Sequence, residues 1–217
     1  ERADFLKGKS LSRTDLTQLE NWQQEFNFRE GWLKTSFIFE GLQVEHTVFA
    51  LKHMLHTGIV KMTITAEEDK FFSLKNILRV APPYEYNESK YLDQLRDKQI
   101  PLMTASAYTP AGKYLSATTS SFYFEGSDKP NLVFTDDDKQ QPTLGFEKML
   151  GKGESITFYL IGSMATTETY TDPISETARL NIYTYLTGPE RVIRQHKTTW
   201  NSFWENTDII IEGAPEL

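Results

Sequence analysis

No cysteine occurs among the 217 residues. Disulfides and thiolate metal sites are therefore excluded, and burial alone has to hold the fold together. The length suffices for that, in one large β domain or two small ones. A cysteine-free chain fits a periplasmic or secreted bacterial protein, and a cytoplasmic setting is compatible as well. No run of 18 or more apolar residues exists, so no segment reads as a membrane-spanning helix. Positive charge is in deficit: 23 Lys and Arg against 30 Asp and Glu leave a formal charge of −7. The basic face that a phosphate backbone or an anionic membrane surface needs is missing, which argues against both as partners. The first residue is Glu1 rather than Met, and we expect a processed or trimmed chain from which any signal peptide would already be gone.

Aromatic residues, by contrast, are plentiful, Phe and Tyr above all. Residues 32–40 alternate, with Leu33, Thr35, Phe37 and Phe39 on one face. Glu40-Gly41 makes a tight turn, and 42–51 alternates again through Leu42, Val44, His46, Val48 and Ala50. Two alternating runs around a glycine turn predict a β-hairpin. A first strand is expected at 23–28, with a turn at Glu30-Gly31, and further strands at 58–66 and 71–80. After Pro82-Pro83 the tyrosine-rich, charged stretch 84–99 reads as a long connection with a short helical segment at 89–98. Strands resume at 102–108, 113–124, 131–135, 143–149 and 155–165, separated by Gly, Pro and Asp turns. Many short strands with regular turn signals predict a mainly β fold, a two-sheet β-sandwich.

The texture changes after Thr167. Asp172-Pro173 is an N-cap followed by proline at the first helical position, and Gly188 is a stop. Ile174, Ala178, Ile182 and Leu186 predict the packed stripe of that helix. Pro189 opens a second helix, on which His196, Trp200 and Trp204 fall four residues apart and share a face. Such an aromatic stripe is first a packing device that docks on something larger. The expected division is a β-sandwich domain over 1–168 and a helical linker over 169–217, with a helical turn at 14–19 and an extended exit at Ile209-Ile210-Ile211.

Few residues carry recognisable chemistry. Glycosidic hydrolysis needs two facing carboxylates, and none of the 30 acidic residues stands in a distinctive motif for it. His46, His53 and His56 with Glu45 offer a nominal metal set, but His53 and His56 are three residues apart, which on a strand puts them on opposite faces. Asp136-Asp137-Asp138 lacks calcium-loop spacing and reads as a solvated turn. No metal and no cofactor is implied. Tyr84, Tyr86 and Tyr91, among Glu85, Asn87 and Asp93, are the sugar-contact candidates, since exposed rings stack on sugar faces while amides and carboxylates bond hydroxyls.

The tail resembles the N-terminal domain of glycoside hydrolase family 65, the maltose and kojibiose phosphorylase family. The residues that carry the resemblance are His196, Trp200, Trp204, Asp208, Ile209, Ile211 and Gly213, with the approach Tyr170-Thr-Asp172-Pro173. Phe26-Asn-Phe-Arg-Glu-Gly31-Trp-Leu33 is similar to the family's strand–turn–strand opening, and 44–64 follows a similar strand spacing. The resemblance implies a supersandwich of two large sheets, galactose-mutarotase-like, with a helical hairpin leading to an (α/α)6 catalytic barrel. It implies that the catalytic glutamate belongs to that barrel, that nothing in this chain matches it, and that the chain alone is inert. On this reading the domain supports the barrel of an enzyme acting on α-linked glucosides, and shapes its pocket. Its partners would be that barrel and, through it, carbohydrate. His196, Trp200 and Trp204 would serve interdomain packing, and a homodimer is compatible. The alternative from another class is a stand-alone carbohydrate-binding module, which would expose an aromatic platform.

Overall fold

The computed structural model describes residues 19–207, apart from 97, 127–128 and 137–140. Eleven strands and two helices follow one another among these residues. They are β1 (Glu20–Asn27), β2 (Trp32–Phe39), β3 (Leu42–Ala50), β4 (Thr57–Ala66), β5 (Lys70–Ile77), β6 (Glu85–Leu95), β7 (Lys98–Tyr108), β8 (Leu115–Phe124), β9 (Val133–Thr135), β10 (Thr143–Leu150), β11 (Ser155–Thr166), α1 (Pro173–Thr187) and α2 (Pro189–Thr207). The expected mainly β fold with a C-terminal helix pair is what forms. The exit at 209–211 lies outside the described residues, and the turn at 14–19 does so almost wholly.

Eight strands make one antiparallel sheet in the order β1-β2-β3-β4-β11-β8-β7-β6, and β5-β10-β9 make a second. One sheet is thus large and the other, among the described residues, small. Strand periodicity sends alternate residues to opposite faces, and the large sheet uses both. Phe122, Phe124 and Phe158 point to the small sheet, where Phe146 enters edge-on among them with ring centroids 5.3–5.4 Å apart. Leu42, Ile64, Met103 and Leu144 complete this core. The opposite face carries Phe49, Ile59 and Tyr159, and α2 covers them with Val192 and Ile193.

The stretch 84–99 is not a connection. It holds the whole of β6 and the start of β7. Two register shifts, between Tyr86 and Glu88 and between Leu92 and Gln94, break the alternation that marks a strand. As the sheet's outer strand, β6 also has one edge with no strand partner among the described residues, a position that tolerates charged residues.

The packed face of α1 also differs from expectation. Its buried residues are Pro173, Thr177, Leu180, Asn181 and Thr184, while Leu186 is about half exposed. The sheet beneath is polar at this point, so the helix meets it with hydroxyls and an amide. Thr119 Oγ1 donates to Thr177 Oγ1 at 2.9 Å. Asn181 accepts from Ser121 and donates to the carbonyls of Thr119 and Ile161 at 3.1 and 3.2 Å. Every polar group in this seam finds a partner, which is what makes its burial affordable. Asp172 caps the helix by accepting from Ser175 N at 3.1 Å, and the Ser175 side chain, with that backbone N–H, holds its carboxyl below the usual range.

Two substitutions on β10 separate the core from the surface. Phe146→Ala should cost about 3–5 kcal/mol in urea denaturation, because the ring fills the space between the sheets. Met149→Ala on the same strand should change stability by less than about 0.5 kcal/mol, since that side chain faces solvent.

Candidate functional site

The expected stripe of α2 forms, and its partner is the β1–β2 hairpin. Gly188, at φ +87°, ends α1, and Pro189 begins α2 in the first turn where its missing N–H costs nothing. His196 is fully buried. The Lys52 backbone N–H donates to its Nδ1 at 3.0 Å, so Nε2 carries the proton and donates to the Gly31 carbonyl at 3.0 Å. That arrangement requires a neutral ring. Burial pushes the His196 pKa down, against the opposing pull of the Gly31 carbonyl.

One turn on, the indole of Trp200 lies flat against Gly31. A Cβ on Gly31 would sit 2.0 Å from Trp200 Nε1, and the glycine has φ +65°. Trp204 stacks on Trp200 at 6.1 Å, and its Nε1–H donates to the Phe28 carbonyl at 2.8 Å. Glu30 closes the turn by accepting from Trp32 Nε1 and from Lys197 Nζ, each at 2.7 Å. The Lys197 and Trp32 bonds hold the Glu30 carboxyl below the usual range. Lys52 Nζ lies 4.8 Å from both the Trp200 and Phe203 rings. His196, Trp200 and Trp204 therefore each grip the hairpin of their own chain. Lys52, Glu30 and Lys197 are members of this site without a sequence signature. Gly31 was legible only as a turn residue.

The other end of α2 carries a carboxylate pair. Glu190 accepts from Lys61 Nζ and Tyr159 OH, each at 2.6 Å, and Tyr159 OH lies 3.3 Å from Glu125 Oε1. Burial opposes a charge on Glu190, but the Lys61 and Tyr159 bonds outweigh it and keep the carboxyl below the usual range. Burial and the two carboxylates push Tyr159 far up. With Glu190 committed to Lys61 and the Tyr159 ring buried, this cluster is a clamp, not an acid–base pair.

The three tyrosines stand elsewhere. Tyr84 precedes β6 and is half exposed. Tyr86 OH donates to Ser89 Oγ at 3.0 Å, and Ser89 donates to Asp136. Tyr91 stacks on Phe134 at 4.7 Å and packs against the inter-sheet core. Strand β6 is one edge of the large sheet and β1 the other, so the tyrosines and the α2 stripe are separated by seven strand spacings, roughly 34 Å. The histidines are scattered too. His53 and His56 lie in the β3–β4 loop, not on a strand as the spacing argument assumed. His56 packs on Tyr170 and His46 on Phe37. Two clefts accompany α2. One, of about 580 Å³, is lined by His53, Tyr183, Arg191, Arg194, Gln195, Thr198 and Thr199. The other, of about 370 Å³, lies between Trp204 and residues 25–29.

Two measurements probe the stripe. His196→Ala leaves the Lys52 N–H unpaired and should cost about 1–3 kcal/mol at pH 7. The unfolded chain takes up a proton at this position near pH 6.5, whereas the folded chain does so only at lower pH. The stabilisation is thus complete above that range and lost as pH falls through it. The difference between wild type and variant, read by urea denaturation, should narrow between pH 7 and pH 5. The lowered His46 is common to both proteins and cancels. Gly31→Ala should cost more than the roughly 1–2 kcal/mol of its left-handed backbone, because the Trp200 indole must also move. Its melting temperature should fall accordingly.

The comparisons agree with this architecture. The model of glycosyl hydrolase family 65, N-terminal domain, matches residues 5–203. A kojibiose hydrolase of Flavobacterium johnsoniae is 31% identical over 203 residues, which is 91% of this chain and 30% of that protein. A kojibiose hydrolase of Mucilaginibacter mallensis is 24% identical over 207 residues, 93% of this chain and 30% of that one. The chain spans about 30% of the length of each of these relatives. A solved human-microbiome structure described as a kojibiose phosphorylase superimposes with a TM-score of 0.68 at 10% identity, over 91% of this chain and 27% of that one, which speaks for the fold. With the family match covering nearly all of its length, this chain belongs to glycosyl hydrolase family 65, as the family's N-terminal domain.

Proposed function

We propose that the chain is the non-catalytic N-terminal part of a longer carbohydrate-active enzyme that cleaves α-linked glucosides of the kojibiose type. It supports the (α/α)6 barrel that follows and helps to shape the rim of its pocket. The observation that carries this reading is one of proportion: two kojibiose hydrolases match more than nine-tenths of this chain with only 30% of their own length. The chemistry is consistent with it. Among the described residues, Glu190 is bound to Lys61 and Tyr159, Glu125 lies by the same Tyr159 hydroxyl, and neither carboxylate lines a cleft. In the same reading Tyr84, Tyr86 and Tyr91 remain the candidates for carbohydrate contact. Tyr84 is the most open of them, and Tyr91 serves through its position in the stack on Phe134. The cysteine-free composition supports a periplasmic or secreted setting.

The test is an assay of glucose or glucose phosphate release from kojibiose, with and without inorganic phosphate. The 217-residue chain should show no turnover in either condition, whereas the full-length natural polypeptide should be active in one of them. Turnover by the isolated chain would overturn the proposal, and so would inactivity of the full-length polypeptide on every α-glucoside tried.

A further inference from the structure

The tip of the first hairpin carries apolar surface that stands exposed among the described residues. Phe28 is 66% exposed and Phe26 54%, although the two rings pack edge-on at 4.5 Å. Phe203 is 41% exposed and contacts Trp204 at 5.4 Å. Phe26, Phe28 and Trp204 border the 370 Å³ cleft, and Phe203 adjoins it through its contact with Trp204. Four large rings in one place form an exposed patch of the kind that marks an interaction surface. Elsewhere the exposed rings, such as Phe71 and Tyr183, belong to separate elements, β5 and α1.

From this we infer that the patch formed by Phe26, Phe28, Phe203 and Trp204 is the docking surface for the polypeptide that follows α2. The inference rests on the reading given under Proposed function and says where the two parts meet. The first argument is position. Trp204 lies three residues before Thr207, the last described residue of α2, and a helix rises 1.5 Å per residue, so the onward chain departs about 5 Å from the patch. The second argument is length. The kojibiose hydrolases carry more than twice as much chain outside the matched part as within it, enough for a domain that covers such a surface. The third is competition. A segment tethered this closely acts at an effective concentration in the millimolar range, ahead of a second copy or a free sugar. The hydrogen bond from Trp204 to Phe28 and the ion pair between Lys197 and Glu30 fix the patch before the partner arrives, so little ordering is left to oppose docking.

Carbene footprinting of the full-length natural polypeptide tests this. Phe26, Phe28 and Phe203 should label several-fold more weakly than Phe71 and Tyr183, which are similarly exposed in this chain and serve as internal references. Phe28→Asp should raise the labelling of Phe203 to the level of the references. Equal labelling of patch and reference rings in the wild type would overturn the inference. Protection that disappears on dilution to monomer would assign the surface to a second copy, and protection that needs added kojibiose would assign it to carbohydrate; either overturns it. Free labelling in a polypeptide that still cleaves kojibiose would sink the docking surface alone. A full-length polypeptide with no activity on α-glucosides would sink the underlying reading.

Discussion

The rest of the structure depends on the contact between one helix and one glycine turn. Gly31 gives its carbonyl to His196 and its bare Cα face to Trp200. No other residue type can do both, since a side chain there would occupy the space of the indole. His196 completes the joint by accepting from Lys52 in the β3–β4 loop. One buried, neutral imidazole thereby ties the helix to two loops of the large sheet. Once this joint is made, the direction of α2 is set, and its last described turn comes to the hairpin tip.

The two faces of the large sheet are held by different physics. Towards the small sheet the contact is aromatic and aliphatic, with Phe146 set among three phenylalanines. Towards α1 it is a row of hydroxyls around Asn181. The first kind of contact supplies burial energy and tolerates small shifts. The second adds little net free energy, yet it is directional and penalises any misplacement that leaves a buried group unpaired. Together they fix where the helix pair starts, and the joint at Gly31 fixes where it points.

How far this was legible in the sequence followed from how local each signal is. The β2–β3 hairpin around Glu40-Gly41 could be read because alternation and turn are both local. The same holds for the capped start of α1 at Asp172-Pro173 and for the four-residue stripe of α2. Strand β6 was missed because two bulges destroy the period on which the reading relied. The buried face of α1 was assigned to its apolar residues, whereas Thr177 and Asn181 point inward, because the polarity of a distant strand decides which side is buried. The stripe itself was visible, but not its partner. Lys52 and Gly31 lie 144 and 165 residues from His196, and no spacing rule connects them. The tyrosines of β6 were visible as a cluster, yet nothing in the sequence could reveal that they sit at the opposite edge of the sheet from α2.

The seam beneath α1 is internally satisfied, whereas the joint leaves the buried Trp200 Nε1 without a hydrogen-bond partner among the described residues and the hairpin tip carries exposed rings. The family assignment gives the partner assigned to those rings a size. The most direct measurement is the intact mass of the natural gene product. The account requires roughly three times the 25.0 kDa of this chain, since the chain spans 30% of each kojibiose hydrolase that it matches. A mass near 25 kDa would contradict it and leave the aromatic tip without the partner assigned to it.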